Sequence, residues 1–146
     1  MPLSAENQAE ILLVEDNPAD VRLTQEIIRA AEIPSRLHIA RDGEQAMAML
    51  RQQGDFADTP RPDLILLDLN LPRKDGREVL AEIKSDEALR SIPVIILTTS
   101  KSESDIATAY GLHANSYIAK PVSLKEFTGL LKGLQAYWLT MVELPR

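Results

Sequence analysis

Leu64-Ile65-Leu66-Leu67-Asp68 decides the fold. Four apolar residues in a row show no in/out alternation, the mark of a strand buried on both faces of a parallel sheet. A Leu-rich run also suits a buried helix, but a length of about four residues between polar or Pro-bearing flanks is strand length. The same reading applies to Ile11-Leu12-Leu13-Val14, Leu37-His38-Ile39-Ala40 and Val94-Ile95-Ile96-Leu97, and more weakly to Ser116-Tyr117-Ile118-Ala119.

Helical stretches fill the gaps. Asn17 is placed to cap the first, with Pro18 at its first position and Asp20 in its first turn, each suited to an end with free N–H groups and a positive dipole. Val21, Thr24, Ile27, Ile28 and Ala31 then share a face, and Pro34 follows the end. Ala46, Met47 and Leu50 sit at helical spacing between Gly43 and Gln53. Asp75-Gly76-Arg77-Glu78 reads as a capping box ahead of Val79, Leu80 and Ile83. Ser102–Asp105 opens a short helix that Gly111 is expected to end. Ser123-Leu124-Lys125-Glu126 opens the last helix, with Leu124, Phe127, Leu130, Leu131 and Leu134 on its inner face. The order is five βα units, predicting an α/β fold: a (βα)5 doubly wound parallel sheet with right-handed crossovers. Residues 52–63 form a loop longer than most such connections.

The 146 residues carry 16 Lys+Arg against 22 Asp+Glu, a net charge of −6. That balance argues against a nucleic-acid binder, which needs a basic stripe, and against attachment to anionic lipid. The absence of cysteine excludes disulfides, thiolate metal sites and cysteine nucleophiles. No apolar run approaches a membrane span and the first ten residues do not resemble a signal peptide, so a cytoplasmic protein is expected. Residues 1–137 are expected to form one domain, with an apolar tail over 138–146 and no room for a second domain.

Binding crevices of open α/β sheets lie outside the carboxyl ends of the strands. Those ends carry Glu15-Asp16, Asp68, Thr98-Thr99-Ser100 and Lys120-Pro121. Unit charges of like sign about 4 Å apart repel by roughly 4 kcal/mol at an effective dielectric near 20, so convergent carboxylates need an offset. A hard divalent cation fits, Mg²⁺ above all where protein ligands are few. A carboxylate held by such a cation and a lysine, beside a hydroxyl donor, is arranged to attack phosphorus and to stabilise the added oxygens.

The sequence resembles the receiver domain of two-component response regulators over nearly its whole length. Glu15-Asp16 matches the family's acidic pair, Asp68 its phosphoacceptor, and Asn70 the residue whose carbonyl completes the metal site. Thr98 matches the switch hydroxyl, Tyr117 the switch aromatic and Lys120 the family's lysine. Leu71-Pro72-Arg73-Lys74-Asp75-Gly76 matches the loop after the acceptor. The resemblance implies a flavodoxin-like (CheY-like) sheet of order 2-1-3-4-5. It also implies a Mg²⁺ site of Glu15, Asp16, Asp68 and Asn70, and phosphorylation of Asp68 by a sensor histidine kinase. The peptide before Pro121 is typically cis in the family; sequence leaves both isomers open. Glu15 departs from the commoner Asp, and Thr99 from a smaller residue, which narrows access to the acyl phosphate. The long loop before the third strand, Thr98-Thr99-Ser100 and the Tyr137–Pro145 tail further resemble the single-domain response regulators of bacterial, especially cyanobacterial, phytochromes. On this reading the chain is a phosphoacceptor and not an enzyme.

Competing readings stand beside these. Glu15-Asp16 alone is also an ordinary solvated turn, and Lys120 alone a surface lysine. Tyr117 alone suits a strand aromatic with its hydroxyl in water. His38 and His113 lack ligand partners at metal spacing. Asp55, Asp58 and Asp63 suit loop and strand entry. Leu23 is read as an exposed apolar residue or part of a docking surface. Tyr137, Trp138, Leu139, Met141, Val142 and Leu144 are read as a homodimer seam, with the fourth helix, fifth strand and fifth helix, in preference to a tail folded on its own core. An aspartyl-phosphate phosphatase would want an acid where Asn70 stands. A flavodoxin-like redox protein would want a phosphate-cradling loop in place of Glu15-Asp16-Asn17-Pro18. An unphosphorylated scaffold would not need the full acceptor set.

Overall fold

The computed structural model describes residues 8–30, 35–141 and 143–145, for residues 140 and 141 the backbone alone. The chain runs β1 (Ala9–Val14), α1 (Pro18–Ala30), β2 (Ser35–Ala40), α2 (Gly43–Leu50), β3 (Leu64–Leu67), α3 (Gly76–Ser85), β4 (Val94–Thr98), α4 (Glu103–Gly111), β5 (Ser116–Ala119) and α5 (Leu124–Ala136). All strand pairs are parallel, in the order β2-β1-β3-β4-β5 that the family resemblance implies.

Side chains alternate across the sheet, so each central strand feeds two layers. Leu12, Val14, Ile65, Leu67, Val94 and Ile96 pack with residues of α2, α3 and α4 on one face. Ile11, Leu13, Leu64, Leu66 and Ile95 pack with Val21 on the other. Such doubly buried strands have no polar side to show, hence the unbroken apolar runs. Val14 pairs with Leu67, and Leu67 with Ile96. Asp68 N–H donates to the Val14 carbonyl (3.1 Å) and Lys120 N–H to that of Thr98 (2.7 Å). The register therefore delivers Glu15, Asp68 and Lys120 together at one edge of the sheet.

The caps are mostly as read. Asn17 Oδ1 accepts from Ala19 N–H (2.9 Å) and Asp20 N–H (3.2 Å). Ser102 accepts from Asp105 N–H and Ser123 from Glu126 N–H. Asp75 accepts from Arg77 N–H, one residue earlier than the capping-box pattern expects. Gly111 is the last residue of α4, as read, but the left-handed conformation of the cap falls on His113 (φ 71°). His113 N–H donates to Tyr110 O and Ala114 N–H to Ala109 O, the paired bonds of a Schellman cap. His tolerates that region better than most residues do.

Three other expectations need correction. Leu124 is 68% exposed. It is the first helical residue, and a helical side chain leans over the turn before its own, which here does not exist. Leu23 is half-buried against Ile27, Leu97, Phe127 and Leu131. The tail does not leave the domain after Tyr137: α5 continues in a π-helical turn, Tyr137–Met141. Leu139 is buried in the β1–β3 layer, with Trp138 and Leu144 partly buried against it. Burying an apolar side chain yields about 1.5–3 kcal/mol, enough to hold a single turn against its own core. The peptide before Pro121, which the sequence leaves open, is trans, as most X–Pro bonds are. Ala31, Pro34, Val142 and the Met141 side chain lie outside the described residues. No helix among the described residues is long and apolar enough to cross a membrane.

Candidate functional site at the strand ends

Glycine sets the loop that carries Asn70. A Cβ on Gly76 would overlap the Asp68 carbonyl oxygen and lie 2.6 Å from Leu69 Cα. A Cβ on Gly43 would overlap the Lys74 carbonyl oxygen and lie 2.7 Å from Lys74 Cβ. The β3–α3 loop is thus clamped from below by the start of α3 and from the side by the start of α2. Gly76 N–H donates to the Leu69 carbonyl (2.9 Å), and Arg73 takes a positive φ of 67° to complete the turn. Asn70 N–H donates to Asp68 Oδ1 (3.1 Å), which fixes the carboxylate against its own loop.

Lys120 sits at the centre of the site. Its Nζ lies 2.7 Å from Glu15 Oε1, 3.0 Å from Asp20 Oδ2 and 3.3 Å from Asp68 Oδ2. Glu15, Asp68 and Lys120 are buried, whereas Asp16 and Asn70 are exposed. Carboxylate oxygens of Glu15, Asp16 and Asp68 lie within 4.8 Å of one another. Burial, and then the hydrogen bond with Asp68, push Glu15 up to about 9 against the opposing pull of Lys120. Burial would raise Asp68 too; the hydrogen bond with Glu15 and the charge of Lys120 outweigh it and hold Asp68 below the usual carboxylate range. Burial would lower Lys120, but its carboxylate partners, Glu15 first, raise it above the ordinary lysine value. A cluster that keeps a proton on one of its acids is short of positive charge. An all-oxygen set of two or three carboxylates at this spacing suits a hard divalent cation.

Thr98 is wholly buried at the end of β4. Its hydroxyl is near enough to Asp68 to contribute to the lowered pKa, yet Oγ1 meets no partner in hydrogen-bond geometry. A buried, unspent donor beside the Asp68 carboxylate is costly unless something comes to use it. Thr99 is exposed. Tyr117 is half-buried, and its hydroxyl does not simply face water: Oη donates to the Ser100 carbonyl (2.9 Å). His38 Nε2 lies 2.6 Å from Glu10 Oε2, and His38 is not part of the Glu15–Asp16–Asp68 cluster. Asp63 ties β3 to β1 by accepting from Glu10 N–H.

The sequence-predicted residues Glu15, Asp16, Asp68, Thr98 and Lys120 thus converge, with Asn70 and Tyr117 at the margins. Two features escaped the sequence. Asp20 looked like an ordinary acid at a helix start, although the first turn after Glu15-Asp16 stands beside the strand ends. Arg77, Asp105 and Ser100 form a second polar group: Arg77 Nη2 donates to Asp105 Oδ1 (2.6 Å) and Ser100 Oγ to Asp105 Oδ2 (2.6 Å). Nothing local in the sequence pairs α3 with α4 in this way.

Comparison with known proteins agrees with this geometry. The model of the response regulator receiver domain matches residues 11–132. Response regulator Rcp1 of Synechocystis is 53% identical over 135 residues, 92% of this chain and 92% of Rcp1. The crystal structure of its Mn²⁺-bound form superposes with a TM-score of 0.92 at 52% identity, covering 94% of this chain and 99% of that one. The phosphorylated cyanobacterial phytochrome response regulator RcpA gives the same score and identity over 95% of this chain and 99% of its own.

Proposed function

The chain belongs to the response regulator receiver family, and from that premise we propose that Asp68 is its phosphoacceptor, charged by a sensor histidine kinase of phytochrome type. One observation carries the reading: Asp68 stands at the end of β3 between a buried lysine and a buried threonine hydroxyl with no hydrogen-bond partner. An Asp68 carboxylate oxygen attacks phosphorus in line, the P–N bond to the donor histidine breaks, and its electron pair returns to the ring nitrogen. Asp68 is suited to this because its lowered pKa keeps it ionised. Lys120 and Thr98 donate to the phosphoryl oxygens that arrive.

Mg²⁺ would be held by Asp16, Asp68 and the Asn70 carbonyl, with Glu15 acting through water. When bound, it would supply charge neutralisation at the transferring phosphoryl group. The Mn²⁺-bound form of Rcp1 and the phosphorylated form of RcpA support this assignment.

A phosphoryl group brings up to about two negative charges and three acceptor oxygens. Thr98 turning towards it would vacate space near β4, and Tyr117 would have to give up Ser100 to follow. That rearrangement repacks the α4–β5–α5 face, where Tyr110, Val122, Leu124 and Tyr137 are large apolar residues left exposed. Dimerisation through this face is the output we assign, with Tyr137 contributing from the tail in place of the half-buried Trp138. The same reading puts the protein in the cytoplasm with the kinase's transmitter domain.

Acetyl phosphate with Mg²⁺ should add one phosphoryl mass to the intact protein. Chelation of the metal, or Asp68→Asn, should abolish it. An undiminished mass gain in Asp68→Asn would falsify the assignment.

A further inference from the structure

An ammonium has three N–H donors and no more. Those of Lys120 are fully committed: Glu15 at 2.7 Å, Asp20 at 3.0 Å and Asp68 at 3.3 Å. The weakest of the three bonds goes to the acceptor itself. The two shorter ones draw the lysine towards β1 and α1.

The partners differ in how readily they can be left. The Glu15 side chain is 3% exposed, so releasing it would strand a buried polar group. The Asp20 side chain is 23% exposed, and water can replace its lysine. Asp20 lies outside the acidic cluster of Glu15, Asp16 and Asp68. Its backbone is independently secured: its N–H donates to Asn17 Oδ1 and its carbonyl accepts from Thr24 Oγ1 (2.8 Å). Among the described residues, its carboxylate accepts from Lys120 alone.

We propose that Asp20 is a positioning residue that shares Lys120 with the acceptor in the unphosphorylated protein and must release it when Asp68 is phosphorylated. This inference rests on the phosphoacceptor reading and adds a residue to it. Asp20 favours the resting state, because its bond to Lys120 exists there and is lost once the lysine moves onto the phosphoryl oxygens. Removing it should raise the phosphorylated fraction without touching the residues that perform the transfer.

The test follows phosphorylation by acetyl phosphate with Mg²⁺ in the parent, Asp20→Asn, Asp20→Ala and Asp20→Glu proteins. The reaction breaks the P–O bond to acetate, which departs with the electron pair, and forms a P–O bond to Asp68. Asn and Ala should each raise the phosphorylated fraction about three- to tenfold where the parent is sparsely labelled, the scale of one partly exposed charge-assisted bond. Glu, which keeps the charge, should restore the parent's level. At 1 M salt the Debye length falls to about 3 Å, so a general field effect would vanish whereas loss of a direct contact persists. The ¹⁵N shift of the Lys120 ammonium should move in the unphosphorylated Asn and Ala proteins, and thermal melting should confirm that they fold. A folded Ala protein labelled no more than the parent, or a gain erased by salt, overturns the role of Asp20 alone. A parent that takes up no phosphoryl group at Asp68 overturns the site reading and this inference with it.

Discussion

The two sides of the sheet are built to different standards. On β3 and β4 every residue is buried, and Ile65, Leu67, Val94, Ile95 and Ile96 are fully enclosed. On β5 every residue is half-buried, and α4 buries only Ala109. The acceptor Asp68 and the hydroxyl of Thr98 grow from the closed side, whereas Tyr117 belongs to the open one. A nucleophile gains from being held still, and an element that has to change its packing gains from having little to lose. On the proposed reading, the difference puts chemistry on the rigid strands and readout on the loose ones.

Equal truncations should separate the two sides most sharply. Ile96→Ala removes a fully buried side chain between α3 and the sheet and should cost about 2–5 kcal/mol. Ile118→Ala, on half-buried β5, should cost less than half as much. Urea unfolding monitored by far-UV circular dichroism gives both numbers. Equal losses would mean that β5 is as firmly held as β4 and that the contrast is only one of surface area.

Gly76→Ala should come next. The new methyl must displace the Asp68 carbonyl or Leu69, both backbone, so the strain cannot be relieved by a side-chain rotation. An overpacked site of this kind costs about 1–3 kcal/mol. Because the displaced atoms carry the acceptor, phosphorylation by acetyl phosphate should fall more than stability does. A variant that loses stability but is phosphorylated at the parent's rate would show that Asp68 is positioned by the strand alone, without the loop.

The closed side was also the more legible in the sequence. Its apolar runs, their polar ends and the N-terminal caps are local patterns, so five strands, five helices and the convergence of Glu15, Asp16, Asp68 and Lys120 could be read directly. The open side depends on contacts between distant elements. Tyr117 bonding to Ser100, Arg77 reaching Asp105 and Leu139 returning to the β1–β3 layer have no local signature. Leu124 fits a helical face by spacing yet is exposed, because periodicity cannot tell a helix's first residue from one a turn later. Asp20 is masked for another reason: a helix start is by itself sufficient explanation for an acid.

The smallest expected effect concerns the bridge between the two sides. Arg77 on α3 and Ser100 after β4 both bond Asp105 in the first turn of α4, and their pull, Ser100 first and then Arg77, holds the Asp105 carboxyl below its ordinary value. A carboxyl depressed in the folded state adds stability that is present above its unfolded pKa and disappears as pH falls through the folded one. Asp105→Asn should therefore lower the urea midpoint slightly at neutral pH, and the gap from the parent should close as the solution is acidified below about pH 4, the ordinary Asp range. Amide exchange should quicken in α4 first, since that helix buries only Ala109 and leans on this bridge. Exchange that quickens equally in α3 would place the bridge within the rigid side, and the boundary between chemistry and readout would then run beyond α4 and not before it.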